Sequence, residues 1–258
     1  MKVIVFGAAG WLGRAILNSL SSYHDVTAFD QSPEAWHKGD QTDGVWHNGH
    51  VIHGDISNYD AVQEAVKGMD TIIHAAVYAS PKGYHEHDEQ PFLVNLKGLW
   101  NVLQSAHQEK IHRVVHIGSC HVVNPKGIFF NADVRRPDGS LYAVTKRLQE
   151  EMCRQYYDAF GLSQVIFRPC TIIDSRLAMG KGDRKLEPGA WNVDWVCRHD
   201  IGEACKAAIE KREIDFEILH VAGSPTAEAH CNVARTREIL NIDFKHTLDG
   251  GDAWSSQI

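Results

Sequence analysis

The amino-acid sequence predicts an α/β protein with a doubly wound parallel sheet and a small C-terminal region that caps it. Three observations predict this fold class. Short apolar runs alternate with helix-length segments, which is the pattern of parallel strands with helices on both faces of the sheet. A glycine-rich turn separates the first run from the first such segment. The 258 residues suffice for one well-buried domain and a small cap, but hardly for a second full domain.

The individual elements follow from local patterns, taken in chain order. Each predicted strand is a short apolar run bounded by turn residues. These runs cover 2–6, 26–29, 51–53, 71–74, 114–117, 164–167 and 216–221. Each predicted helix carries apolar side chains at helical spacing. The helices cover 11–20, 59–68, about 90–109, about 141–160 and about 201–211. Pro169 ends the sixth strand because its nitrogen cannot donate to the ladder.

Composition excludes several kinds of function. A formal net charge of -7 argues against a nucleic-acid binder, because such proteins neutralise phosphates with clustered Lys and Arg. No apolar run is long enough to span a bilayer, and the apolar start of the chain is too short for a secretory signal. The six cysteines form no C-x-x-C pair, so we expect reduced thiols in a cytoplasmic protein. A small molecule is the expected partner.

The turn after the first predicted strand has the spacing of a phosphate-binding loop. Its sequence, G-A-A-G-W-L-G over 7–13, leads directly into a predicted helix whose first amides are free to meet a pyrophosphate. Gly7 allows the tight turn, Gly10 lets the backbone approach phosphates, and Gly13 lets the helix pack closely on the strand. We therefore predict a Rossmann-like fold in which this turn, including Trp11 and Leu12, binds a dinucleotide.

The second strand ends at a carboxylate that bears on the choice of cofactor. Asp30 is placed to accept bonds from ribose hydroxyls and to repel a 2′-phosphate, which favours NAD over NADP. The alternative is that Asp30 only caps the end of a strand. Asp55 and Ile56 after the third strand, and Ala75 and Ala76 after the fourth, are expected beside the cofactor, although such residues also occur in ordinary turns.

These predictions divide the chain into two regions. Residues 1–169 are expected to form the NAD-binding domain, and 170–258 a small substrate-capping region from which 216–221 returns as a strand of the main sheet. The segment 174–192 has little periodicity and several glycines and basic residues. It is either a mobile substrate loop or an inert surface insertion, and the sequence leaves both open.

A phenol and an ammonium are predicted on one face of the helix over 141–160. Tyr142 and Lys146 are four residues apart, so their side chains lie one above the other. A cation beside the phenol is expected to lower its pKa, so that Tyr142 can act as general acid or base. Ser119 follows the fifth strand at the carboxyl edge of the sheet, where ligands of such folds bind. Its hydroxyl is expected to hold the substrate oxygen that Tyr142 protonates or deprotonates.

With the glycine turn, these residues resemble the extended and atypical short-chain dehydrogenases/reductases, which include NAD-dependent sugar epimerases and dehydratases. The resemblance runs from Val3 to about Val221. It implies that Ser119, Tyr142 and Lys146 carry catalysis and that Lys146 also bonds the nicotinamide ribose. Asn95 matches a helix asparagine found near the active site in that family, while a plain polar helix residue is the alternative.

Within the family, the segments S-C-H over 119–121 and R-P-D-G-S-L-Y over 136–142 look most like the uronate dehydrogenases, which oxidise a sugar acid with NAD. This likeness implies that Ser119, Cys120, His121, Tyr142 and Thr171 contact the substrate. Cys120 departs from the asparagine that is usual there. The tail after the last predicted strand is shorter than in nucleotide-sugar epimerases, which favours a smaller sugar or polyol.

The sequence thus favours hydride transfer between NAD and a hydroxyl-bearing carbon of a sugar or sugar acid. One alternative is an epimerase or dehydratase with no net redox change, and another is a non-catalytic dinucleotide sensor. No metal is expected, because the clusters over 47–53 and 85–88 lack a recognised ligand spacing.

A homodimer is expected through the helices over 90–109 and 141–160, which carry more apolar surface than one core face needs. The side chains concerned are Leu99, Trp100, Leu103, Leu148, Met152 and Tyr156. Ordinary core packing explains part of the same pattern.

Overall fold

A computed structural model of the chain describes residues 1–78, 89–122, 139–182, 184–187, 192–223, 226–229 and 231–244. Its main sheet has seven strands, all paired in parallel. These are β1 (Lys2–Phe6), β2 (Asp25–Asp30), β3 (Gly49–His53), β4 (Thr71–His74), β5 (Arg113–Ile117), β6 (Ser163–Pro169) and β11 (Phe216–Val221). The order across the sheet is β11-β6-β5-β4-β1-β2-β3.

Helices lie on both faces of this sheet, as a doubly wound fold requires. They are α1 (Trp11–Leu20), α2 (Pro33–Asp43), α3 (Tyr59–Ala65), α4 (Gly98–Gln108), α5 (Leu141–Phe160), α6 (Arg198–Glu210) and α7 (Val233–Leu240). A π-helical turn, Pro91–Lys97, leads directly into α4. The predicted fold class is confirmed.

The strand order places a crevice at the carboxyl end of β1. The chain leaves β1 toward β2 on one side and later returns to β4 on the other, so the order reverses at β1. Ligands of open α/β sheets bind at such a reversal. The residues that follow β1, β2, β4, β5 and β6 therefore meet at one edge of the sheet.

Alternation along the strands divides the core into two layers. Val3 and Val5 of β1 pack with α1 and α6 on one face, while Ile4 and Phe6 pack with α3 and α4 on the other. On the first face α1 and α6 come very close, because a Cβ on Gly202 would lie 2.5 Å from the hydroxyl of Ser19. Both layers are closed to solvent, and this rigid scaffold positions the loops at the carboxyl edge.

The predicted elements recur with few changes, and the differences have local causes. The bounds of α1, α5, β1, β4 and β11 coincide with the predictions. The region predicted as one helix over about 90–109 consists of the π-helical turn followed directly by α4. The sequence reading missed α2, in which Trp36 is the buried residue of an otherwise polar helix. Signals for α2 were nevertheless present, because Ser32 caps it and Pro33 is its first residue.

A second, four-stranded sheet also escaped prediction. It has the order β10-β7-β8-β9 and is formed by β7 (Thr171–Asp174), β8 (Met179–Gly180), β9 (Arg184–Lys185) and β10 (Trp195–Cys197). The segment predicted as an irregular loop over 174–192 therefore includes two short antiparallel strands. Strands of two or three residues are too short to produce a periodic pattern. The mobility of this segment and the division of the chain at residue 169 stay predictions.

A buried arginine joins the small sheet to the main domain. Arg198, at the start of α6, donates from Nε to Asp174 at 2.6 Å and from Nη1 to Asp43 at 2.9 Å. It also donates to the carbonyl of Trp11 at 3.0 Å. One cation thus connects β7, α2 and the first residue of α1. In the described ranges, no helix has both the length and the apolar character that crossing a bilayer requires.

Candidate active site

The glycine turn has the geometry of a close-approach loop. Gly7 has a φ of +80°, and a Cβ there would lie 2.5 Å from the nitrogen of Ala76, so the position excludes other residues. A Cβ on Gly13 would lie 2.1 Å from the carbonyl oxygen of Gly7. At Gly10 the nearest neighbour of such a Cβ is that same oxygen at 3.2 Å, and the remaining space is open. The turn therefore forms a cradle next to the N-terminus of α1.

Asp30 lies beside this turn at the end of β2. Its Oδ2 accepts a bond from the amide of Ala9 at 2.8 Å, and its Oδ1 accepts one from the amide of Gln31 at 2.8 Å. Burial raises the pKa of Asp30, while the two backbone amides and His53 lower it. The carboxylate thus fixes the turn, and each oxygen retains lone pairs for a ligand donor. Its predicted bond to ribose stays a prediction.

The other predicted cofactor contacts fall into two groups. Ala75 and Ala76 follow β4 and line the turn at Gly7, as expected from their place at the carboxyl edge. Asp55 is exposed and accepts a bond from the amide of Ser57 at 2.8 Å, which is an ordinary turn contact. Ile56 is buried in the core and its carbonyl accepts a bond from Asn101 at 2.8 Å.

The first two residues of α1 face different surroundings. The guanidinium of Arg198 lies over the Trp11 ring, 4.1 Å from the ring centroid. The indole nitrogen is buried and has no hydrogen-bond partner within the described residues. Leu12 belongs to the core on the α6 side of the sheet. Leu12 therefore supports the turn from behind.

The phenol and hydroxyl predicted to carry catalysis lie together. Tyr142, on the first turn of α5, is hydrogen-bonded to Ser119, which follows β5. Ser140 caps α5 by accepting a bond from the amide of Ala143 at 3.2 Å, so the start of the helix is fixed next to the sheet edge. The Nζ of Lys146 lies 5.9 Å from the centroid of the Tyr142 ring. The three side chains occupy one site.

The expected direction of the Tyr142 pKa shift was wrong. Burial raises the pKa of the phenol, and the hydrogen bond with Ser119 opposes this only in part. Lys146 Nζ points away, donating to the carbonyl of Ile117 at 2.9 Å. Burial lowers the pKa of Lys146 to about 8, although the charge of Glu150 raises it. The sequence argument considered the cation but not the desolvation of the phenol, which dominates here.

Asn95 is fully buried and acts as a structural link. It lies in the π-helical turn, where its Oδ1 accepts a bond from the amide of Tyr78 at 2.8 Å. Its Nδ2 donates to Thr145 on α5 at 3.3 Å, and its carbonyl accepts from Gln149 at 2.7 Å. These bonds hold α5 in place beside the active site. Single π-helical turns occur frequently at functional sites.

A buried ion pair that the sequence reading missed lies directly behind Lys146. Glu150, one turn further along α5, accepts from Arg168 Nε at 2.7 Å and from its Nη2 at 2.5 Å. Both side chains are less than 10% exposed. The sequence did indicate that Glu150 lies beside Lys146, because residues four apart share a helix face. Its ion-pair partner Arg168 could not be identified, because that residue lies on β6, outside the reach of local sequence patterns.

Cys120 and Thr171 are positioned at the same edge of the sheet, after β5 and β6. Thr171 donates from its hydroxyl to Asp194 at 2.7 Å, and the neighbouring thiol of Cys170 donates to the same oxygen at 3.4 Å. Cys120 is fully buried, and its thiol contacts that of Cys170. The side chain of His121 lies outside the described residues, as do residues 85–88 of the histidine cluster.

Two neutral histidines lie beneath the site. His74 on β4 and His116 on β5 are fully buried, with their Nδ1 atoms 3.0 Å apart. Burial lowers the pKa of His74 to about 3, and it lowers that of His116 well below the ordinary value. The charge of nearby Lys146 lowers the pKa of both histidines further, because it repels a proton on either ring. They therefore remain uncharged near neutral pH, and one Nδ1 donates to the other.

The residues present fit an NAD molecule. An open cradle at Gly10, a helix N-terminus, and a carboxylate at the end of β2 are the features that hold a pyrophosphate and a ribose. Ser119, Tyr142 and Lys146 lie across the same crevice. Among the described residues, no group of three or more His, Cys, Asp or Glu side chains is arranged to hold a metal ion.

Comparison with known proteins shows the family to which the chain is related. The model of the NAD dependent epimerase/dehydratase family matches residues 3–222. The uronate dehydrogenase of Pseudomonas putida is 27% identical over 175 residues, which is 65% of this chain and 59% of that enzyme. The chain thus spans less than two thirds of the length of this relative. The L-arabinose 1-dehydrogenase (NAD(P)(+)) of Haloferax volcanii is 26% identical over 225 residues, covering 81% of this chain and 82% of that enzyme.

A solved structure shares the fold over nearly the whole chain. The UDP-glucuronic acid 4-epimerase of Bacillus cereus, in complex with NAD, superposes with a TM-score of 0.78 at 21% sequence identity. The superposition covers 97% of this chain and 96% of that one. At this identity the likeness concerns the fold alone.

Proposed function

Because the chain belongs to the NAD-dependent epimerase/dehydratase family, we propose that it is an NAD-dependent oxidoreductase acting on a sugar or sugar acid. The dependence on NAD is the property for which the family is named, and the cofactor prediction is thereby confirmed. The hydrogen bond between Tyr142 and Ser119, beside Lys146 and across the crevice from the glycine turn, is the observation that carries the proposal. These side chains are suited to proton transfer, and a protein that only binds the cofactor would not need them.

The cofactor would be held by the turn and by the end of β2. Amides at the start of α1 would face the pyrophosphate, and Asp30 would accept bonds from the adenosine ribose. When bound, NAD supplies the acceptor for a hydride. Asp30 would also repel a 2′-phosphate, which supports NAD rather than NADP.

The protein's own residues would manage the proton. Ser119 would hold the substrate oxygen, and Tyr142, as its phenolate, would accept the proton of the substrate hydroxyl. Ionising a buried phenol is unfavourable, so Tyr142 needs a nearby cation to make the transfer possible. Lys146 would supply that charge and would lose it as the pH rises through its lowered pKa of about 8. Asn95 and Gln149 hold α5 so that these groups keep their positions.

A second candidate is an epimerase or dehydratase that returns the hydride to the same substrate. The family model that matches the chain includes this class, and the same residues would serve it. Cofactor that stays bound through purification, a changed sugar configuration and no accumulated NADH would select this alternative.

Turnover measurements with matched variants test the proposal. The protein is mixed with NAD and a panel of aldoses, uronates and polyols, and NADH is followed by absorbance. We expect Tyr142→Phe to lower turnover by about 10²–10⁴-fold, the usual contribution of a positioned acid or base. Tyr157→Phe is the control, because this phenol lies on the same helix but packs against Phe216. Full activity in Tyr142→Phe would refute the assigned role.

We also propose a homodimer through α4, α5 and the π-helical turn. Leu99, Leu103 and Tyr156 are buried and not available for an interface, so ordinary core packing explains that part of the apolar pattern. The large apolar side chains that are exposed on these elements are Phe92, Leu93, Trp100, Leu148 and Phe160. A second copy would cover them. None of the six cysteines, all of which lie in the described ranges, forms a disulfide, and this supports a reducing compartment such as the cytoplasm.

A further inference from the structure

One carboxylate near the candidate active site has an oxygen that receives no hydrogen bond in the part of the chain that the structure describes. Asp194 immediately precedes β10 and is 9% exposed. Its Oδ2 accepts bonds from the Thr171 hydroxyl at 2.7 Å and the Cys170 thiol at 3.4 Å. Its Oδ1 is buried and has no hydrogen-bond partner among the described residues. Buried oxygens of this kind are rare in folded proteins because leaving one unpaired is costly.

Asp194 is linked to the reacting groups through a single residue. β5 and β6 pair in parallel with Ile117 opposite Phe167, so the residues that follow them emerge side by side. Ser119 follows the first strand and Cys170 the second. Cys170 contacts Asp194 on one side and lies near Tyr142 on the other. The Asp194 carboxylate therefore lies one side chain away from Tyr142, at the edge of the sheet where Ser119 and Tyr142 would hold a substrate.

As a carboxylate oxygen that can only accept hydrogen bonds, Asp194 Oδ1 would distinguish neutral sugars from sugar acids. A hydroxyl or another uncharged donor would satisfy it, whereas a substrate carboxylate would bring a like charge to a buried site. Resting on the proposed function above, we propose that Asp194 is a substrate-binding residue that accepts a hydrogen bond from a neutral sugar. On this basis the substrate is an aldose or polyol, and sugar acids are discriminated against.

Lys181 provides the rival arrangement. It lies between β8 and β9, is exposed, and its charge contributes to lowering the pKa of Lys146. A uronate carboxylate that paired with Lys181 would reverse the preference. Because exposed ion pairs contribute little to binding, we favour the buried oxygen of Asp194 as the determinant.

Matched sugars that differ only at carbon 6 give the sharpest test. Glucose is compared with glucuronate, and galactose with galacturonate, using wild type, Asp194→Asn and Lys181→Gln. Affinity of the NAD-loaded protein for each sugar is measured by calorimetry, and kcat and KM by NADH formation. We expect wild type to bind the neutral member at least tenfold more tightly. Asp194→Asn should remove most of that ratio, chiefly through KM, while Lys181→Gln leaves it unchanged.

The outcomes separate the two proposals. Tighter binding of the uronates by wild type, with the preference lost in Lys181→Gln, would overturn the role of Asp194. An unchanged ratio in an Asp194→Asn protein that still binds NAD would do the same. Selective binding of neutral sugars without any NADH would support the subsite and refute the dehydrogenase activity. The comparison in wild type decides the preference even where a variant fails to fold.

Discussion

The buried cation that connects the two sheets offers a quantitative test of the fold. Arg198 is 1% exposed and is shared by Asp174, which is fully buried, and Asp43, whose side chain is 7% exposed. Replacing it in Arg198→Met keeps the length of the side chain but leaves two carboxylates without their cation. Removing one partner of a buried ion pair costs about 3–5 kcal/mol. We expect the free energy of unfolding to fall by that amount.

The magnitude converts into a melting temperature. For a chain of this size, 1 kcal/mol corresponds to about 2–4 °C, so the variant should melt about 6–20 °C below wild type. Arg235→Met is the matched control, because Arg235 pairs with Glu217 at 2.7 Å but is 51% exposed. Exposed pairs contribute about 0–1 kcal/mol, so the control should melt within about 4 °C of wild type. Melting is followed by circular dichroism in the same buffer.

The pH dependence of the difference provides an independent check. Burial alone would raise the pKa of Asp174, but the hydrogen bond with His199 and the charge of Arg198 hold it well below its usual range. A depressed carboxyl pKa stabilises the fold above the unfolded value of about 4 and loses that contribution as the pH falls below it. In Arg198→Met the buried Asp174 carboxyl protonates more easily than in wild type. The difference in the free energy of unfolding between variant and wild type should therefore become smaller toward acid pH. A constant gap, or a variant as stable as the control, would refute the reasoning.

Three further predictions concern the crevice and the surface. Gly13→Ala should abolish measurable NAD binding in a fluorescence titration, because the new Cβ would lie 2.1 Å from a backbone oxygen, whereas Gly139→Ala, with open space around it, should bind normally. The value of kcat/KM should fall above about pH 8 as Lys146 loses its charge, and Glu150→Gln should move this limb to lower pH because Glu150 raises the Lys146 pKa; an unmoved limb would contradict the role of Glu150. Trp100→Glu combined with Leu148→Glu should halve the mass measured by light scattering, while Leu177→Glu, on an exposed residue elsewhere, should not.

Local pattern was a reliable guide to the elements and to the positions of chemically active residues. The glycine turn, the strand ends at Asp30 and Ser119, and the helix that carries Tyr142 and Lys146 are each defined by neighbours within a few positions. Periodicity and turn chemistry act over that same distance. Elements without a strong apolar stripe, such as α2 and the short strands β8 and β9, gave no comparable signal.

The sequence by itself therefore determined the fold class, the family and the positions at which the cofactor and the proton-transfer groups were sought. Only the tertiary structure decided which distant residues meet there: Arg168 behind Glu150, Asp194 beside Thr171, and Arg198 between two carboxylates. It also decided the direction of the Tyr142 pKa shift, because burial is a property of the packed molecule. Contacts between residues far apart in the chain, and the loss of solvent that accompanies them, leave no periodic trace in the sequence.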